Sequence, residues 1–575
     1  MSLIVGIDLG TTNSEIARIR DGRPEIVPVD GERTMPSCVG LDDEGRLQVG
    51  RVARNRMAIS PETTILSIKR KMGENIEVSL GERSYSPEEI SALILGKLKS
   101  AAEAHAGEPV TEAVITVPAY FDDAQRKATR NAGTLAGLEV RRIINEPTAA
   151  ALAYEADRTD NRTVLVYDLG GGTFDASLVV VENGVVEVKS SHGDTRLGGD
   201  DFDRLLMEHV ESRFREEHGL GLLDDPKAAN RLWSAVEKAK RDLSDVPFVR
   251  IREEFISGDL HLDMEISRHD YEEMIRPLLR KTMDCVHRCL TDADMLPNAV
   301  DKVILVGGAS RTPLVAELVK REIRAEPRHE IDPDLIVAMG AAIQAGSIRG
   351  EKTASILVDI TPYTFGTTAI GIHEGEYREG VFVPVIRRGT ALPARKGEAF
   401  STVYDGQEAV DVRIFQGEAP LAEDNIFIGN FLIEGLSDAP AGNEIVLTLA
   451  LDINGILEVT AVEKKTGLSK SVAMETTDGT PAFDMDRARE RLAETLGAEK
   501  PPSGASPAAG NTPAIVAAKE LRKRATALLE EIDATDAEEI RGLLEDSQKA
   551  IAEKDSDRLS DLNESLSDML FYLED

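Results

Sequence analysis

Two short glycine-containing segments, about 160 residues apart, constrain this chain more than any other feature. The first is IDLGTTNS at Ile7–Ser14, and the second is YDLGGGTFD at Tyr167–Asp175. Each follows a β-branched run that predicts a strand, and each places Asp-Leu-Gly in a turn with a hydroxyl residue close behind it. One Asp-Leu-Gly is only a tight turn. Two copies that each begin half of an α/β region indicate a duplicated fold with one nucleotide clamped between the halves.

Glycine-rich turns of this kind suit phosphate binding. Glycine lets backbone N–H groups approach phosphate oxygens, and successive N–H groups form anion-binding nests. An adjacent Asp can hold Mg²⁺ through water, and Thr can contact phosphate or orient a nucleophilic water. A third pair, Gly307-Gly308, follows the predicted strand Lys302–Val306 and could cover adenosine and the inner phosphates. The sequence lacks a Gly-x-x-x-x-Gly-Lys-Ser/Thr loop, so this is not a P-loop enzyme.

The pattern of the chain changes twice, which predicts three kinds of structure in succession. As far as about residue 350, short β-branched runs alternate with amphipathic stretches, as in α/β domains. The predicted strands are Leu3–Ile7, Ala113–Val117, Thr163–Tyr167 and Lys302–Val306, and the predicted helices are Pro87–His105, Asp122–Ala136, Asp200–His218 and Leu335–Ser347. A connector at 351–361 carries a central apolar run, Ile356–Val358.

From residue 362 to about 475 the helical signals vanish and strand-like alternation replaces them. Asn454-Gly455 separates the alternating runs Glu444–Leu451 and Ile456–Val462, and an Asn-Gly pair in that position is a strong hairpin signal. The pattern is helical again after Asp484, with an interruption at 497–513 that is rich in Pro, Gly, Ala and Ser and is typical of a flexible hinge. The order is therefore α/β, then β, then α.

Composition narrows the class of protein. Lys and Arg number 67 against 102 Asp and Glu, a net charge of −35, so we expect no binding to nucleic acid or to an anionic membrane. No run approaches the ~20 apolar residues of a transmembrane helix, and the first residues lack the features of a signal peptide. Three cysteines exclude a disulfide framework and fit a reducing compartment. These features predict a soluble cytoplasmic protein.

Four further motifs accompany the glycine segments. They are VPAYF at Val117–Phe121, INEPTAAA at Ile144–Ala151, LGGDDFD at Leu197–Asp203 and EKAKR at Glu237–Arg241. With the glycine segments they resemble the heat shock protein 70 family (DnaK type), over roughly residues 2–475. The resemblance implies a multi-domain α/β, β and α protein: an actin-like (ribonuclease-H-like, duplicated) ATPase domain at 1–350, a hydrophobic linker at 351–361, a β-sandwich peptide-binding domain at 362–480, and a shortened helical lid at 481–575 with its hinge at 497–513.

The resemblance also implies an ATPase site that uses ATP/ADP and Mg²⁺, with K⁺ as a further candidate cation. Asp8 and Asp168 would position Mg²⁺ through water, and Lys69 would stabilise the transferred γ-phosphoryl charge. Glu146 and Asp175 would complete the network of water and cations. The residues implied to contact the phosphates are Gly10, Thr11, Thr12, Asn13, Gly170, Gly171, Gly172, Thr173, Gly198, Gly199 and Gly307. Those implied for adenosine are Glu237, Lys240, Arg241, Ser244, Gly308 and Arg311, with Asp334 supporting Arg311.

Three further sets of residues match functional surfaces of the family. Pro118, Arg126 and Glu146, with Leu357 and Asp359 of the linker, match its allosteric relay. Arg142, Asn145, Thr148 and Asp359 match the face on which J-domain co-chaperones dock. Phe400, Val403, Val410 and Val412 match apolar positions of the peptide groove, which holds extended chains through main-chain hydrogen bonds and a few pockets. Thr367 and Ile370 match its first strand, where Thr367 replaces the usual aliphatic residue and about eight extra residues follow.

The resemblance implies an ATP-dependent chaperone that binds and releases extended hydrophobic segments of unfolded proteins, with a role in the stress response. A J-domain co-chaperone, with a nucleotide-exchange factor as a further candidate, would be its partners, and we expect a monomer. The short apolar linker and the short helical region resemble the specialised bacterial HscC-type branch. The alternatives are a non-cycling holdase or exchange-factor relative, a small-molecule kinase of the actin/hexokinase superfamily, and a filament-forming actin relative.

Overall fold

The computed structural model describes residues 2–57, 60–155, 161–328, 331–351, 356–473 and 483–496. In the C-terminal part it describes 518, 521–522, 525, 534–553, 558–559, 562–563 and 566, so the predicted hinge at 497–513 lies outside the described residues. The chain forms two compact units, Met1–Leu492 and Ala493–Asp575. Within the described residues, no helix has the length and apolarity to span a membrane.

Two six-stranded sheets organise the first 358 residues, and five strands of each follow the same order. The strands of the first sheet are β1 (Leu3–Asp8), β2 (Asn13–Arg20), β3 (Arg23–Ile26), β4 (Met35–Pro36), β10 (Val110–Val117) and β11 (Glu139–Asn145). Those of the second are β12 (Arg162–Leu169), β13 (Phe174–Glu182), β14 (Val185–Asp194), β17 (Lys302–Val306), β18 (Pro327–Arg328) and β19 (Ile356–Val358). That order is β11-β10-β1-β2-β3 in the first sheet and β18-β17-β12-β13-β14 in the second. Strand β1 lies antiparallel to β2 and parallel to β10, and β12 lies antiparallel to β13 and parallel to β17. Both Asp-Leu-Gly turns therefore leave equivalent strands.

Helices cover these sheets. They are α1 (Arg51–Arg56), α2 (Pro87–Ala106), α3 (Asp123–Leu135), α4 (Glu146–Glu155), α5 (Gly199–His218), α6 (Pro226–Asp245), α7 (Arg268–Asp292), α8 (Pro313–Ile323) and α9 (Ile336–Ile348). Three small sheets complete this region: β5 (Cys38–Leu41) with β6 (Leu47–Val49) and β7 (Thr64–Leu66), β8 (Val78–Leu80) with β9 (Arg83–Tyr85), and β15 (Phe248–Ser257) with β16 (Leu260–Ser267). The predicted strands and helices named above each fall on one of these elements, within two or three residues at the ends.

A close helix crossing fixes the two sheets relative to each other. A Cβ on Gly340 of α9 would overlap the backbone of Ala149 in α4, and a Cβ on Gly6 of β1 would overlap the backbone of Ala342. These contacts require glycine, because any side chain would push the elements apart. The core between the sheets is built from α4, α9 and the inner faces of β12–β14 and β17. The crossing holds the ends of β1 and β12 on either side of one cleft.

Residues 365–473 form a β-sandwich, as the loss of helical periodicity predicts. Its strands are β20 (Phe365–His373), β21 (Glu376–Ile386), β22 (Ala394–Ser401), β23 (Ala409–Gln416), β24 (Ile426–Glu434), β25 (Glu444–Leu451), β26 (Leu457–Glu463) and β27 (Ser469–Ala473). They make two four-stranded sheets, ordered β21-β20-β23-β24 and β22-β25-β26-β27, around one apolar core. The predicted Asn-Gly hairpin joins β25 to β26, and Gly455 adopts a positive φ of 74°.

Helical structure follows the sandwich. Helix α10 (Met485–Thr495) places Leu492 in the apolar core around α2. In the C-terminal unit, helix α11 (Ala534–Glu553) carries Ile540, which packs with Ala525 and Leu566. Ala550 packs with Ala518 and Leu559 in a second small cluster. The C-terminal unit is therefore held by apolar contacts between helix α11 and segments on both sides of it.

Candidate functional site

The two Asp-Leu-Gly loops meet face to face in the cleft. A Cβ on Gly171 would overlap Thr12 Oγ1, and a Cβ on Gly172 would crowd the side chain of Thr11. The backbone N–H of Gly199 donates to the carbonyl of Gly170 (2.9 Å), which ties the second loop to the start of α5. Glycine is required here because the loops approach at backbone distance. The sequence-predicted loop residues are thus brought together, and Gly10, Thr11, Asn13, Gly170 and Thr173 line the cleft.

A buried lysine and four carboxylates lie beside these loops, and all of the carboxylates except the half-buried Asp8 are buried. Lys69, in the 3-10 turn Ile68–Lys71, is only 4% exposed and forms an ion pair with Glu146 at the start of α4. Asp8 ends β1 and accepts a hydrogen bond from the Thr116 hydroxyl (2.8 Å). The backbone N–H of Ala119 donates to Asp175 Oδ2 (3.2 Å), and the other oxygen, Oδ1, is buried without a hydrogen-bond partner. Asp168, near the end of β12, is buried too and lines the cleft with Asp8.

The electrostatics of this cluster favour a bound cation. Burial, reinforced by the charge of Glu146, raises the pKa of Asp8 to about 7. The same two causes raise the pKa values of Asp168 and Asp175 well above their ordinary range. Burial opposes the charged form of Lys69, but Glu146 and Asp8 outweigh it and raise the pKa of the ammonium group. Ionising all four carboxyl groups around one lysine is unfavourable, and a divalent cation near Asp8 and Asp168 would stabilise their charged forms. The residues present therefore fit Mg²⁺.

The third glycine loop and helix α6 form the next part of the cleft. Gly307, Gly308 and Asp334 line it, and Arg311 forms ion pairs with Asp334 (2.8 Å) and Asp332 (2.6 Å). The Asp334 carboxylate therefore supports Arg311, as the resemblance implies. A Cβ on Gly308 would lie 3.1 Å from Asp334 Oδ1, so this loop is also close-packed.

Helix α6 does not present its four predicted residues as one wall. Lys240 donates to the carbonyl of Gly199 (3.0 Å) and forms an ion pair with Asp203, so it lies against the phosphate loops. Glu237 is bound by Arg54. Arg241 is exposed, and Ser244 offers its backbone carbonyl to Arg268 at 3.2 Å. The structure therefore brings Lys240 to the phosphate loops and pairs Glu237 with Arg54, while Arg241 is exposed and Ser244 is engaged through its backbone.

Sequence reasoning missed a clasp between helices α1 and α6. Arg54 of α1 forms an ion pair with Glu237 of α6, and its guanidinium lies 4.1 Å from the ring centroid of Trp233. Both interactions join elements more than 170 residues apart, so no local pattern could pair them. Guanidinium stacking on indole adds to the ion pair, because the ring face is electronegative. The clasp therefore ties α1 to α6, the helix whose Lys240 lies against the phosphate loops.

We expect the Arg54→Ala variant to release bound ADP about five- to thirtyfold faster than the wild type, because it loses an ion pair and a cation–π contact worth about 1–2 kcal/mol. Stopped-flow release of a fluorescent ADP analogue measures this directly. Arg51→Ala is the matched control, because Arg51 lies on the same helix and is exposed. Equal release rates for wild type and Arg54→Ala would show that the clasp does not hold nucleotide.

Sequence reasoning also missed Glu15. This residue of β2 lies opposite Asp8 in the sheet, is buried, and lines the cleft. Burial and the neighbouring charges of Asp8 and Asp334 raise its pKa well above the ordinary value. A glutamate directly after the first glycine segment, beside Ile16 and Ala17, was the available signal. Glu15 adds a further buried carboxyl group to the cleft.

Two of the predicted relay residues, Arg126 and Asp359, are joined through Asn145 in one buried network. Arg126 donates to Asn145 Oδ1 (2.8 Å), to the carbonyl of Ala119 (3.0 Å) and to the carbonyl of Phe121 (3.1 Å). Asn145 Nδ2 donates to both carboxylate oxygens of Asp359 (3.1 and 3.0 Å). Asn145 precedes Glu146, the partner of Lys69. Pro118 precedes Ala119 in the same turn. The Asp359 carboxylate is connected to Lys69 through the adjacent residues Asn145 and Glu146.

The four residues predicted for J-domain docking, Asp359 among them, are buried in this arrangement. Arg142 is held near Asp359, whose charge partly offsets the burial that lowers the pKa of Arg142. Asn145 binds Asp359 as described, and Thr148 is buried in α4. Docking on these side chains stays a prediction that no contact of this structure tests.

The predicted groove residues divide into core and surface. Val412 belongs to the sandwich core, and Phe400 and Val410 pack partly against it. Thr367 is buried, and its hydroxyl donates to the carbonyl of Arg413 (2.7 Å), which satisfies the polar side chain that departs from the family pattern. Val403 and Ile370 are exposed, at 60% and 51%. These last two present most of the exposed apolar surface in the set, while Phe400 and Val410 are half-buried.

One comparison with known proteins bears on the whole chain. A family model described as "Hsp70 protein" matches residues 4–79 and 74–573. The two matched segments together cover nearly all of the chain, including the cleft, the linker, the sandwich and the C-terminal helical part.

Proposed function

The chain belongs to the Hsp70 family, and from this premise we propose that it is a chaperone in which ATP hydrolysis controls the binding and release of extended client segments. Membership of the family supports, in general terms, a chaperone function with ATPase activity and the binding of nucleotide and Mg²⁺. It also supports unfolded-protein clients and co-chaperone partners. The proposal adds the coupled cycle, the domain assignment (ATPase 1–350, linker 351–361, peptide-binding sandwich 362–480, shortened lid 481–575), the HscC-type branch and a cytoplasmic location.

The observation that carries the proposal is the position of the linker. Strand β19 pairs with β14 in parallel, Ile356 opposite Val185 and Val358 opposite Glu187, so the linker is the edge strand of the second sheet. Asp359 follows directly and is bound by Asn145, next to Glu146. Strand β14 in turn pairs with β13, where Asp175 lies opposite Gly193. A change at the cleft therefore has two short routes to the linker, one through Asn145 and one through the sheet.

Direct contacts also join the sandwich to the α/β part. The backbone N–H of Leu457 donates to Asp123 (3.1 Å), and the N–H of Ile143 donates to Asn454 Oδ1 (2.9 Å). The Tyr363 hydroxyl donates to the carbonyl of Tyr120 (2.8 Å). Helix α10 adds Arg491, which forms a bidentate ion pair with Glu89 of α2 (2.8 Å for both bonds). These contacts support a docked state, with the sandwich held against the ATPase part and α10 packed on α2.

Within the cleft, each side chain has a separate task in the proposed hydrolysis. Lys69 neutralises charge on the transferred phosphoryl group, and Glu146 orients Lys69. Thr173 and the backbone N–H groups of both glycine loops hold phosphate oxygens in place. When bound, Mg²⁺ would neutralise negative charge on the phosphates, with Asp8 and Asp168 holding it through water. Positioning and charge neutralisation together are what phosphoryl transfer requires.

The proposal is tested by dissociation of a fluorescent, Leu-rich unfolded peptide in ADP and then in ATP. We expect ATP to accelerate release at least about tenfold, as for a coupling free energy of ~1–3 kcal/mol. Release that ignores the nucleotide would support the non-cycling holdase instead. Single-turnover hydrolysis separates the two further, because a holdase with a decayed site hydrolyses no ATP.

The docked contact should weaken in acid because of His192. Its ring bonds the Tyr120 hydroxyl (2.9 Å) and Asp292 (2.6 Å), and Arg388 of the sandwich contacts it (3.2 Å). Burial lowers the pKa of His192, Arg388 and Arg288 lower it further, and Asp292 opposes them. The docked state thus favours the neutral ring, so docking is fully stable above the ordinary pKa near 6.5 and loses stability as the pH falls below it.

Hydrogen exchange of the linker amides 356–360 in the presence of ATP measures this effect between pH 7.5 and 5.5. The intrinsic rate of amide exchange itself falls with pH, so the comparison uses protection factors, the intrinsic rate divided by the measured rate. We expect a several-fold smaller protection factor at pH 5.5 than at pH 7.5 in the wild type. His192→Asn should remove the dependence, whereas His373→Asn, on the β20–β21 hairpin, should retain it. An identical pH dependence in His192→Asn would assign the effect to another group.

A further inference from the structure

The hairpin formed by β20 and β21 extends beyond the point where β20 stops pairing with the rest of its sheet. Strand β20 pairs with β23 through only three residue pairs, from Phe365 opposite Gln416 to Thr367 opposite Ile414. Beyond Thr367, β20 continues to His373 paired with β21 alone. At about 3.3 Å per residue, the five residues 369–373 carry the hairpin roughly 16 Å past Thr368. This extension contains the extra residues that separate the chain from the family pattern.

The turn and a bulge show that the extension is a built element. Glu374 and Gly375 form a two-residue turn with φ values of 52° and 87°, the left-handed pair that suits tight hairpins. The register shifts between Ala369 and Gly371, so that Ile370 stands opposite Glu379 and Gly380, with Gly380 at φ 81°. A bulge of this kind bends and twists a hairpin and re-aims its side chains.

One face of the extension is apolar and exposed. Ile370 and Ile372 alternate along β20, and Tyr377 lies directly opposite Ile372, so the three side chains share a face. They are 51%, 63% and 82% exposed. Three exposed glutamates surround them at the tip of the hairpin, Glu374, Glu376 and Glu379. Arg378, between them, forms an ion pair with Glu423 (2.8 Å). We name the apolar face and its acidic rim the hairpin patch.

The hairpin patch is continuous with the proposed groove. Continuing the register from Thr367 opposite Ile414 would put Ala369 opposite Val412 and Gly371 opposite Val410, but the two strands part instead. The facing edges of β20 and β23 are therefore free of ladder pairing there, in the part of the chain that the structure describes. Free edges of this kind accept an extended chain by main-chain hydrogen bonds.

We propose that the hairpin patch is a second client-contact surface, which takes the part of an extended segment that runs on beyond the groove, with apolar side chains against Ile370, Ile372 and Tyr377 and Lys or Arg near the acidic tip. This rests on the proposed function, because it assumes that the groove binds extended chains. Charge complementarity selects the occupant: the tip carries three glutamates, so a basic, apolar polypeptide fits it and an acidic one does not.

The test compares two fluorescent peptides on the full chain in ADP. The short peptide is a Leu-rich seven-residue sequence, and the long one adds five residues of alternating Leu and Lys at one end or the other. The tip variant is Ile372→Ser with Tyr377→Ser, and the matched control is Ile426→Ser with Leu432→Ser, which changes exposed apolar residues on β24. Thermal unfolding of each variant verifies that the sandwich is intact.

We expect the tip variant to bind the long peptide at least about tenfold more weakly than the wild type does, because two apolar contacts are lost. Its affinity for the short peptide should stay within about twofold, and the control should bind both peptides as the wild type does. Replacing the added Lys by Glu should weaken wild-type binding of the long peptide. If the tip variant bound both peptides as the wild type does, or lost affinity for both equally, the hairpin patch alone would be overturned. If the wild type bound neither peptide, the proposed function would be overturned with it. Sedimentation in which the wild type dimerises and the tip variant does not would assign the patch to a second copy of the chain.

Discussion

Replacing Lys69 with Ala lowers the rate of single-turnover ATP hydrolysis by about 10²–10³-fold, the loss expected when a preorganised charge is removed from the transferred phosphoryl group. The structure gives the reason. Lys69 is 4% exposed and is held by Glu146, so no other cation within the described cleft replaces it at that position. The rate is measured with enzyme in excess over ATP, together with nucleotide affinity. Affinity should change far less than the rate.

Two further variants make this result specific. Lys71→Ala is the matched control, because Lys71 lies in the same 3-10 turn and is exposed. Lys69→Ala leaves Glu146 buried without its partner, which costs stability. Lys69→Gln keeps a hydrogen-bond donor for Glu146 without the charge, so it should fold normally and still hydrolyse slowly. A Lys69→Gln variant with wild-type hydrolysis would remove Lys69 from the chemistry.

The second large effect is expected at the linker. Leu357→Asp should leave ATP affinity within about twofold of the wild type and abolish the acceleration of peptide release by ATP. Leu357 is partly buried, packs against the core between the two sheets and pairs with Val186 of β14. A carboxylate there must be desolvated for the linker to stay in the sheet, which costs several kcal/mol. The linker therefore leaves the sheet, and the docked state is lost.

Ile356→Asp is the control for this variant. Ile356 belongs to the same three-residue strand but points to the other face and is 68% exposed, so a charge there stays in water. It should retain most of the response to ATP. If ATP accelerated peptide release from Leu357→Asp at the wild-type rate, coupling would not run through the linker strand.

The local signals in the sequence were sufficient for the secondary structure around the cleft. The strand Lys302–Val306 and the hairpin at Asn454-Gly455 were predicted from short-range patterns, and both are present in the structure. The three glycine loops were predicted to meet, because each follows a strand of an α/β half. Close backbone approach requires glycine, so the glycines visible in the sequence already indicate where the loops come together.

Long-range pairs were not predictable in the same way. Arg54 meets Glu237 and Trp233, and His192 meets Arg388 of the sandwich, across nearly 200 residues in each case. Nothing in the sequence distinguishes these arginines and this histidine from others of their kind, because only the fold brings their partners close. The same limit applied to α6: its helical spacing suggested one wall, but the neighbours of each residue decided which side chains reach the cleft.

The docked arrangement of the linker and the sandwich could not be predicted from local sequence patterns either. The sequence gives no sign that Asp359 is bound by Asn145, or that Arg491 returns from beyond the sandwich to Glu89. Burial raises the pKa of Asp359, while Arg126 and Arg142 stabilise its charged form. Such a buried carboxylate persists only where its partners are assembled. These contacts place the linker and the sandwich against the ATPase part in one arrangement.

The central claim is that the cleft and the peptide groove are coupled through the linker, and reciprocal binding tests it most directly. In Thr173→Ala, in which we expect slow hydrolysis, the affinity for a Leu-rich peptide is measured with and without ATP, and the affinity for ATP with and without the peptide. Linkage requires both ratios to be equal, and we expect each to be about 5–150-fold, with ATP weakening peptide binding. Ratios of one in both directions would show that nucleotide and client bind independently, which would contradict the account.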